Sequence, residues 1–499
     1  MRKVKVFLFN GILLTATSLL LKSIGMFFGV YISNKIGTEA VGVYGLVTSV
    51  YMLFVTFASS GIHLAASRIV SEQMAYGSES GKKTAIKKCI IYSLFAGITS
   101  CILLFILSPV ISTYWLHGKI TSIPLKVIAI SLPFLSISSC INGYFSALRN
   151  VKKTVCTQIV EEFLKIYFIT FFMSKFMANN IESACICLVL GSTISEALST
   201  ILLIILYKIH IRKNTAPVDK KHKFTKQILT ITLPIAFTSY IRSGLSTLKH
   251  LLIPVRLEKS GMSCENALVN YGIVNGMALP VIMFPCSFIS SFSMLLIPEF
   301  SYLNAKRSYD KMNFAINKIL KFCFIFSFLV MGIFWCFAEE LSSAIYNEES
   351  VAIFIKVLSP LIVLMYVDNI VDGILKGLDK QVAVMGINIL DLITSISFIY
   401  FLLPIQGVKG YIVVLFISEI LNGLISLLLL IKETHLKFDF LNYIIKPFFS
   451  LLILNFVFKN YTYNSIFELI VQILIFCVLY LLLIILLKGL IKEDIKIIK

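Results

Sequence analysis

Apolar residues along this chain arrive in long blocks, not in the alternation of a strand or the stripe of a surface helix. Ser183 to Tyr207 is one block and Val471 to Leu487 is another. A helix rises about 1.5 Å per residue, so roughly 20 apolar residues cover ~30 Å of hydrocarbon. The pattern predicts fourteen membrane-spanning helices, at 8–31, 41–67, 89–112, 123–148, 157–178, 183–207, 228–254, 271–297, 319–337, 353–375, 384–403, 410–431, 445–458 and 466–487. The thirteenth is the shortest. The polar connections are too short for a soluble domain. A basic N-terminus, Met1 to Val6, precedes the first block. That block is too long for a typical signal core and no A-x-A-like cleavage site follows, so it reads as a retained first helix. Prolines well within the predicted spans, at Pro133, Pro234, Pro280, Pro285 and Pro360, predict kinks.

Composition agrees. The 499 residues are 58% hydrophobic and only 14% charged, against about a quarter charged in a soluble domain. The formal net charge of +19 would suggest nucleic acid, but its distribution argues otherwise. The N-terminus, the even-numbered connections and the C-terminus hold 30 of the 45 lysines and arginines, and the other connections hold 6. That asymmetry is the positive-inside pattern, which places both termini in the cytoplasm of a multi-pass plasma-membrane protein. Eleven cysteines offer no disulfide framework. Only Cys264 falls in a predicted external loop and nearly all the others lie in or beside apolar helices, where thiols pack.

The chain also repeats itself weakly. Gly42-Val43-Tyr44-Gly45-Leu46-Val47 opens the second helix and Val269-Asn270-Tyr271-Gly272-Ile273-Val274 the eighth. Asn142-Gly143 and Asp372-Gly373 end the fourth and tenth, each followed at the same spacing by leucine, Leu148 and Leu378. Gln158-Ile159-Val160-Glu161 matches Asn388-Ile389-Leu390-Asp391, and Ile194-Ser195-Glu196 matches Ile417-Ser418-Glu419. Each match falls six helices later. Six is even, so the halves keep one orientation and should be related by a pseudo-two-fold axis along the membrane normal. The expected organisation is an all-α polytopic protein: an N-terminal lobe at 1–207, a basic cytoplasmic linker at 208–227, a C-terminal lobe at 228–431, and a helix pair with a basic tail at 432–499. A substrate would sit between two such lobes.

Nothing in the sequence supports catalysis or a cofactor. Gly77-Ser78-Glu79-Ser80-Gly81-Lys82-Lys83-Thr84 resembles a phosphate loop, but three residues separate its glycines where four belong, and no strand precedes it. The six histidines show no metal-ligand spacing. What remains is charge inside the membrane, which costs roughly 2.5–3.5 kcal/mol per central ion and therefore marks partners or wet cavities. Lys22 lies mid-way along the first helix; Arg242 and Lys249 lie seven apart in the seventh, on one face. A basic cavity of these three would suit an anionic head group such as pyrophosphate. Arg68 reads as an interface anchor. Glu161, Lys165, Glu196, Asp391 and Glu419 read as interhelical pairs, with Lys165–Glu196 a plausible one; the alternative is proton or sodium coupling at Glu196 or Glu419, with Asp368 and Asp372 as further candidates.

An ordered set of segments resembles one family. Lys22-Ser23-Ile24-Gly25 through Gly37, Gly42-Val43-Tyr44-Gly45, Leu233-Pro234, Ile253-Pro254, Tyr271-Gly272 to Pro285, and Ile297-Pro298 are similar to the stage V sporulation protein B family. So are the segments at Gln158 to Glu161 and Ile194 to Glu196. The resemblance spans nearly the whole chain. It implies two six-helix lobes with two extra C-terminal helices, within the superfamily of lipid II flippases, polysaccharide flippases and multidrug antiporters. It further implies alternating-access export of a lipid-linked saccharide such as a peptidoglycan precursor, in spore-formers for the cortex. Membrane lipids are the expected surroundings, with wall-synthesis or sporulation proteins as candidate partners. The alternatives are a cation-coupled drug antiporter, a polytopic membrane transferase and a scaffold. The only charge inside the first helix is Lys22, where multidrug relatives often carry a coupling carboxylate, and this favours the flippase.

Overall fold

A computed structural model of the chain describes residues 2–115, 121–148, 150–176, 180–212, 224–436, 438–458 and 465–490. Most of the expected linker (213–223) and the basic tail from 491 lie outside the described residues. Among those described, every regular element is helical.

The element order repeats. The first half contains α1 (Arg2–Ile36), then α2 (Thr38–Ser59) broken from α3 (Ile62–Ala75) at Gly61 (φ 74°), then α4 (Glu79–Val110). α5 (Ile123–Ala129) is offset from α6 (Ser131–Ala147), and α7 (Val151–Phe176) and α8 (Ile181–Arg212) close the half. The second half begins with α9 (Phe224–Glu258). α10 (Cys264–Tyr271) runs through a π-helical turn, Gly272–Ala278, into α11 (Leu279–Met283), and α12 (Cys286–Ala305) follows a break at Phe284–Pro285. After α13 (Tyr309–Cys336) come a hairpin of α14 (Ala338–Tyr346) and α15 (Ser350–Leu358), then α16 (Leu361–Gly377), bent 54° from α15 at Pro360. α17 (Gln381–Thr434), α18 (Lys446–Phe458) and α19 (Ile466–Leu486) complete the chain.

Among the described residues, eleven continuous stretches are long and apolar enough to cross a membrane, or twelve with the bent pair α15–α16. The expected fourteen differs for two reasons. At 54 residues α17 would span about 80 Å; Gly407, at φ 57° and ψ −133°, interrupts it and leaves two arms matching predicted spans eleven and twelve. α7 is long enough, but its apolar stretch carries Glu161, Glu162, Lys165 and Lys175.

Two compact units divide the described chain: residues 1–28, 36–255 and 263–272 in one, and 29–35, 256–262 and 273–499 in the other. In the first, α3, α4, α6 and α8 share a core that includes Ile69, Ile86, Phe145 and Leu203. Close helix approach rests on small residues, as is usual where lipid removes the hydrophobic drive between helices. A Cβ at Gly143 would lie 2.5 Å from the His63 carbonyl oxygen. The Ser136 hydroxyl lies 2.7 Å from the Ala58 carbonyl oxygen and 2.6 Å from that of Ser93, tying three helices together.

The second unit repeats these devices. Gly373 sits against Ser293 as Gly143 sits against His63. The Tyr366 hydroxyl donates to the Ile282 carbonyl at 2.8 Å, and Tyr480 donates to Ile325 at 3.2 Å. Phe337, Phe458 and Phe476 form an aromatic cluster, with centroids 5.5–5.8 Å apart, that holds α18 and α19 to α13. All eleven cysteines are free thiols, six of them buried.

The compact units do not follow the repeat throughout: residues 263–272, with α10, fall in the first unit and residues 29–35 of α1 in the second. α9 opens the second repeat, yet its residues up to Val255 pack within the first unit.

Candidate functional site

The docking of α9 sets the direction of its cations. Thr247 donates to the Ser49 carbonyl at 3.0 Å, Thr56 donates to the Ser243 hydroxyl at 3.0 Å, and the Tyr240 ring meets Phe57 edge-on at 4.7 Å. Further along, Gly61 lies against the Thr232 backbone. These contacts fix the rotation of α9 on α2. Arg242, about 100° round the helix from Ser243, is left exposed, and Lys249 is half-buried on the Arg242 face. His250, next to Lys249, places Nδ1 3.1 Å from the Tyr271 hydroxyl.

Lys22 is exposed on α1. Three residues on, a Cβ at Gly25 would lie 3.7 Å from Glu162 Oε1, so the α1 face carrying both residues turns toward α7. Among the described residues neither Lys22 nor Arg242 forms an ion pair within 4 Å. All three basic positions lie in the first unit. Arg242 and Lys249 share a helix face, whereas Lys22 comes from another helix. Arg68 pairs with Glu72 one turn away, at 3.1 Å, as an exposed anchor.

The acids arrange themselves differently from the expected pairing. Lys165 reaches Glu162 on its own helix, at 3.8 Å, and not Glu196. The three-residue spacing makes the local partner the easier one to reach. The Glu196 carboxyl instead lies beside that of Glu161, and Ser199 donates to Glu161 Oε2 at 3.4 Å. In the second unit Ser418 donates to Asp391 Oδ1 at 2.5 Å, while Ser395 donates to Ser418 at 2.9 Å. Asn422 donates to Asp368 Oδ2 at 3.0 Å and Lys376 to Asp372 at 3.3 Å. Glu419 is half-buried beside this group. Both units thus carry an acid–serine bridge at the junction of corresponding helices. Sequence reasoning found the acids and missed Ser199, Ser395, Ser418 and Asn422. Hydroxyls are common in membrane helices, and only the crossing shows which ones serve.

Repeated helices crossing through small residues, with charges held inside apolar segments, define a multi-pass membrane protein. The family model for "Polysaccharide biosynthesis protein" matches residues 7–304, and the chain belongs to that family. A second model, MatE, matches residues 259–401. Stage V sporulation protein B of Bacillus subtilis (strain 168) is 26% identical over 415 residues, covering 81% of this chain and 79% of its own. Lipid II flippase MurJ of the same organism is 20% identical over 397 residues, 74% and 72% of the two chains. Among solved structures, lipid II flippase MurJ in an inward closed conformation superposes with a TM-score of 0.73 at 14% identity, over 95% of this chain and 98% of that one. An inward-facing multidrug resistance MATE family transporter of the MOP superfamily gives 0.64 at 13%, over 84% and 98%. Both structures speak for the fold alone. The chain has the fold of the flippase and multidrug-exporter superfamily.

Proposed function

We propose that the chain is an alternating-access flippase that exports an anionic lipid-linked saccharide, a peptidoglycan precursor such as lipid II, across the cytoplasmic membrane. One observation carries the reading: Lys22 and Arg242 are exposed cations within apolar helices, and no acid lies within ion-pair distance of either among the described residues. A cation so placed is costly in hydrocarbon and is relieved by water or an anionic ligand. Lys249, on the Arg242 face, adds a third donor. Membership of a polysaccharide biosynthesis family and similarity to a lipid II flippase support the cargo class. Similarity to a sporulation protein supports the spore cortex as the setting.

The proposed organisation keeps fourteen spans, lobes at 1–207 and 228–431 with the linker at 208–227, the pair at 432–499 and both termini in the cytoplasm. An inside-negative potential then favours outward movement of the head group by about 2.3 kcal/mol per charge per 100 mV, or about 4.6 kcal/mol for two charges. The test is flipping in proteoliposomes by the double variant Lys22→Gln/Arg242→Gln. The rate should fall at least about tenfold, equivalent to ~1.4 kcal/mol at the barrier, while insertion is unchanged. A wild-type rate would overturn the reading.

A second reading, proton coupling, is favoured by the contact between Glu161 and Glu196. Two carboxyl groups this close inside an apolar segment disfavour double ionisation, so a proton is readily held between them. Glu196→Gln should then remove the response of transport to an imposed pH gradient. An undiminished response would exclude this pair as the coupling site.

A further inference from the structure

α14 and α15 form a hairpin in the second unit. Asn347, left-handed at φ 51°, turns the chain, and the Ser342 hydroxyl donates to the Glu348 carbonyl at 2.5 Å to brace it. Beside the hairpin α19 begins, with the Ser465 hydroxyl accepting from the Glu468 N–H at 3.2 Å. A cavity of about 1100 Å³ opens between the hairpin and this helix start. Typical small-molecule sites hold ~300–1,000 Å³.

The lining of this cavity is split by chemistry. Glu339 and Glu340 on α14, with Glu349 just before α15, supply carboxylates. Lys356 supplies one ammonium, 3.5 Å from Glu339. Ile353, 65% exposed, and Ile466, 63% exposed, supply an apolar floor from the first turns of two helices that continue through apolar sequence. A soluble polycation would answer the carboxylates and leave that floor wet. An anionic lipid would meet three carboxylates against one lysine. A lipid carrying both a phosphate and a primary ammonium matches every part.

We propose that this cavity holds an aminophospholipid of the phosphatidylethanolamine type. Its ammonium lies among Glu340 and Glu349, its phosphate faces Lys356, and its glycerol and upper acyl carbons cover Ile353 and Ile466. Nothing assigned so far to Lys22 or Arg242 is needed for this, so the lipid site and the transport reading stand or fall separately.

The test uses the full-length protein in nanodiscs of equal phosphatidylethanolamine and phosphatidylglycerol, with tightly held lipid counted by native mass spectrometry. Wild type should retain the ethanolamine over the glycerol lipid in a ratio of about five to one, against one to one in the bulk, a fraction of one tenfold affinity step. Glu340→Gln/Glu349→Gln should return the ratio to bulk. Ser343→Lys is an independent probe. It sets an ammonium three and four residues from Glu340 and Glu339 on an exposed helix face, a spacing that favours the helix, and it should displace the lipid without unfolding the hairpin. A bulk ratio in wild type overturns the proposal, as does enrichment that survives both variants. Equal binding of a lysine decapeptide to lipid-free protein, abolished by Ser343→Lys, would assign the cavity to soluble cations and overturn it too.

Discussion

A Cβ added at Gly42 would lie 2.3 Å from the Leu268 carbonyl oxygen, and one at Gly272 would lie 2.3 Å from that of Thr38. These glycines belong to the matching segments that open the second and eighth predicted helices, so the repeat places its small residues where α2 and α10 cross. Gly42→Ala forces backbone against backbone, which no rotamer change relieves. It should destabilise the folded protein by about 1–3 kcal/mol, read as a lowered thermal midpoint in detergent; an unchanged midpoint would show that the crossing can open without cost. The charged residues were legible in a different sense. Their apolar surroundings located Lys22, Arg242 and Glu196 in the sequence, but partner choice was not readable. Lys165 takes Glu162 because that carboxylate lies one turn away, whereas Glu196 meets another acid across a helix pair.

At the level of elements, the apolar blocks forecast the helices well and their interruptions less well. Pro285 and Pro360 stand at helix starts beside breaks, as expected of a residue that cannot donate a backbone hydrogen bond. Pro234 lies inside the continuous α9, whose hydroxyl contacts with α2 hold it in place. The decisive interruption is Gly407. Its φ of 57° with ψ of −133° is open essentially to glycine alone, and a Cβ there would lie 3.2 Å from Ser260 Oγ. Gly407→Ala should cost about 1–3 kcal/mol and loosen the turn between the arms of α17. Cysteines placed at the arm ends would report this through faster labelling by a water-soluble maleimide; unaltered labelling would mean that the turn tolerates a side chain.

For the whole molecule, the distribution of lysine and arginine is the strongest orienting signal. It predicts that fluorescent fusions at residue 1 and residue 499 both light up while phosphatase fusions at the same ends stay inactive; phosphatase activity at either end would invert the proposed topology. The grouping of helices was less accessible. The repeat assigns α9 to the second half, while its packing assigns it to the first unit. Sequence similarity records descent and composition. Packing depends on which hydroxyls and small residues face one another, here Thr56 with Ser243 and the Ser49 carbonyl with Thr247.

The sequence alone determined that this chain is an all-helical membrane protein with a duplicated core, because burial in hydrocarbon leaves the backbone few other ways to satisfy its hydrogen bonds and writes that demand into every span. It also marked the positions whose charge needed an explanation. Only the tertiary structure decided which charges are paired, where helices break, and which unit α9 joins. Those outcomes depend on contacts of a few ångströms between residues far apart in the chain, and in an apolar solvent many sequences of similar hydropathy could make different ones.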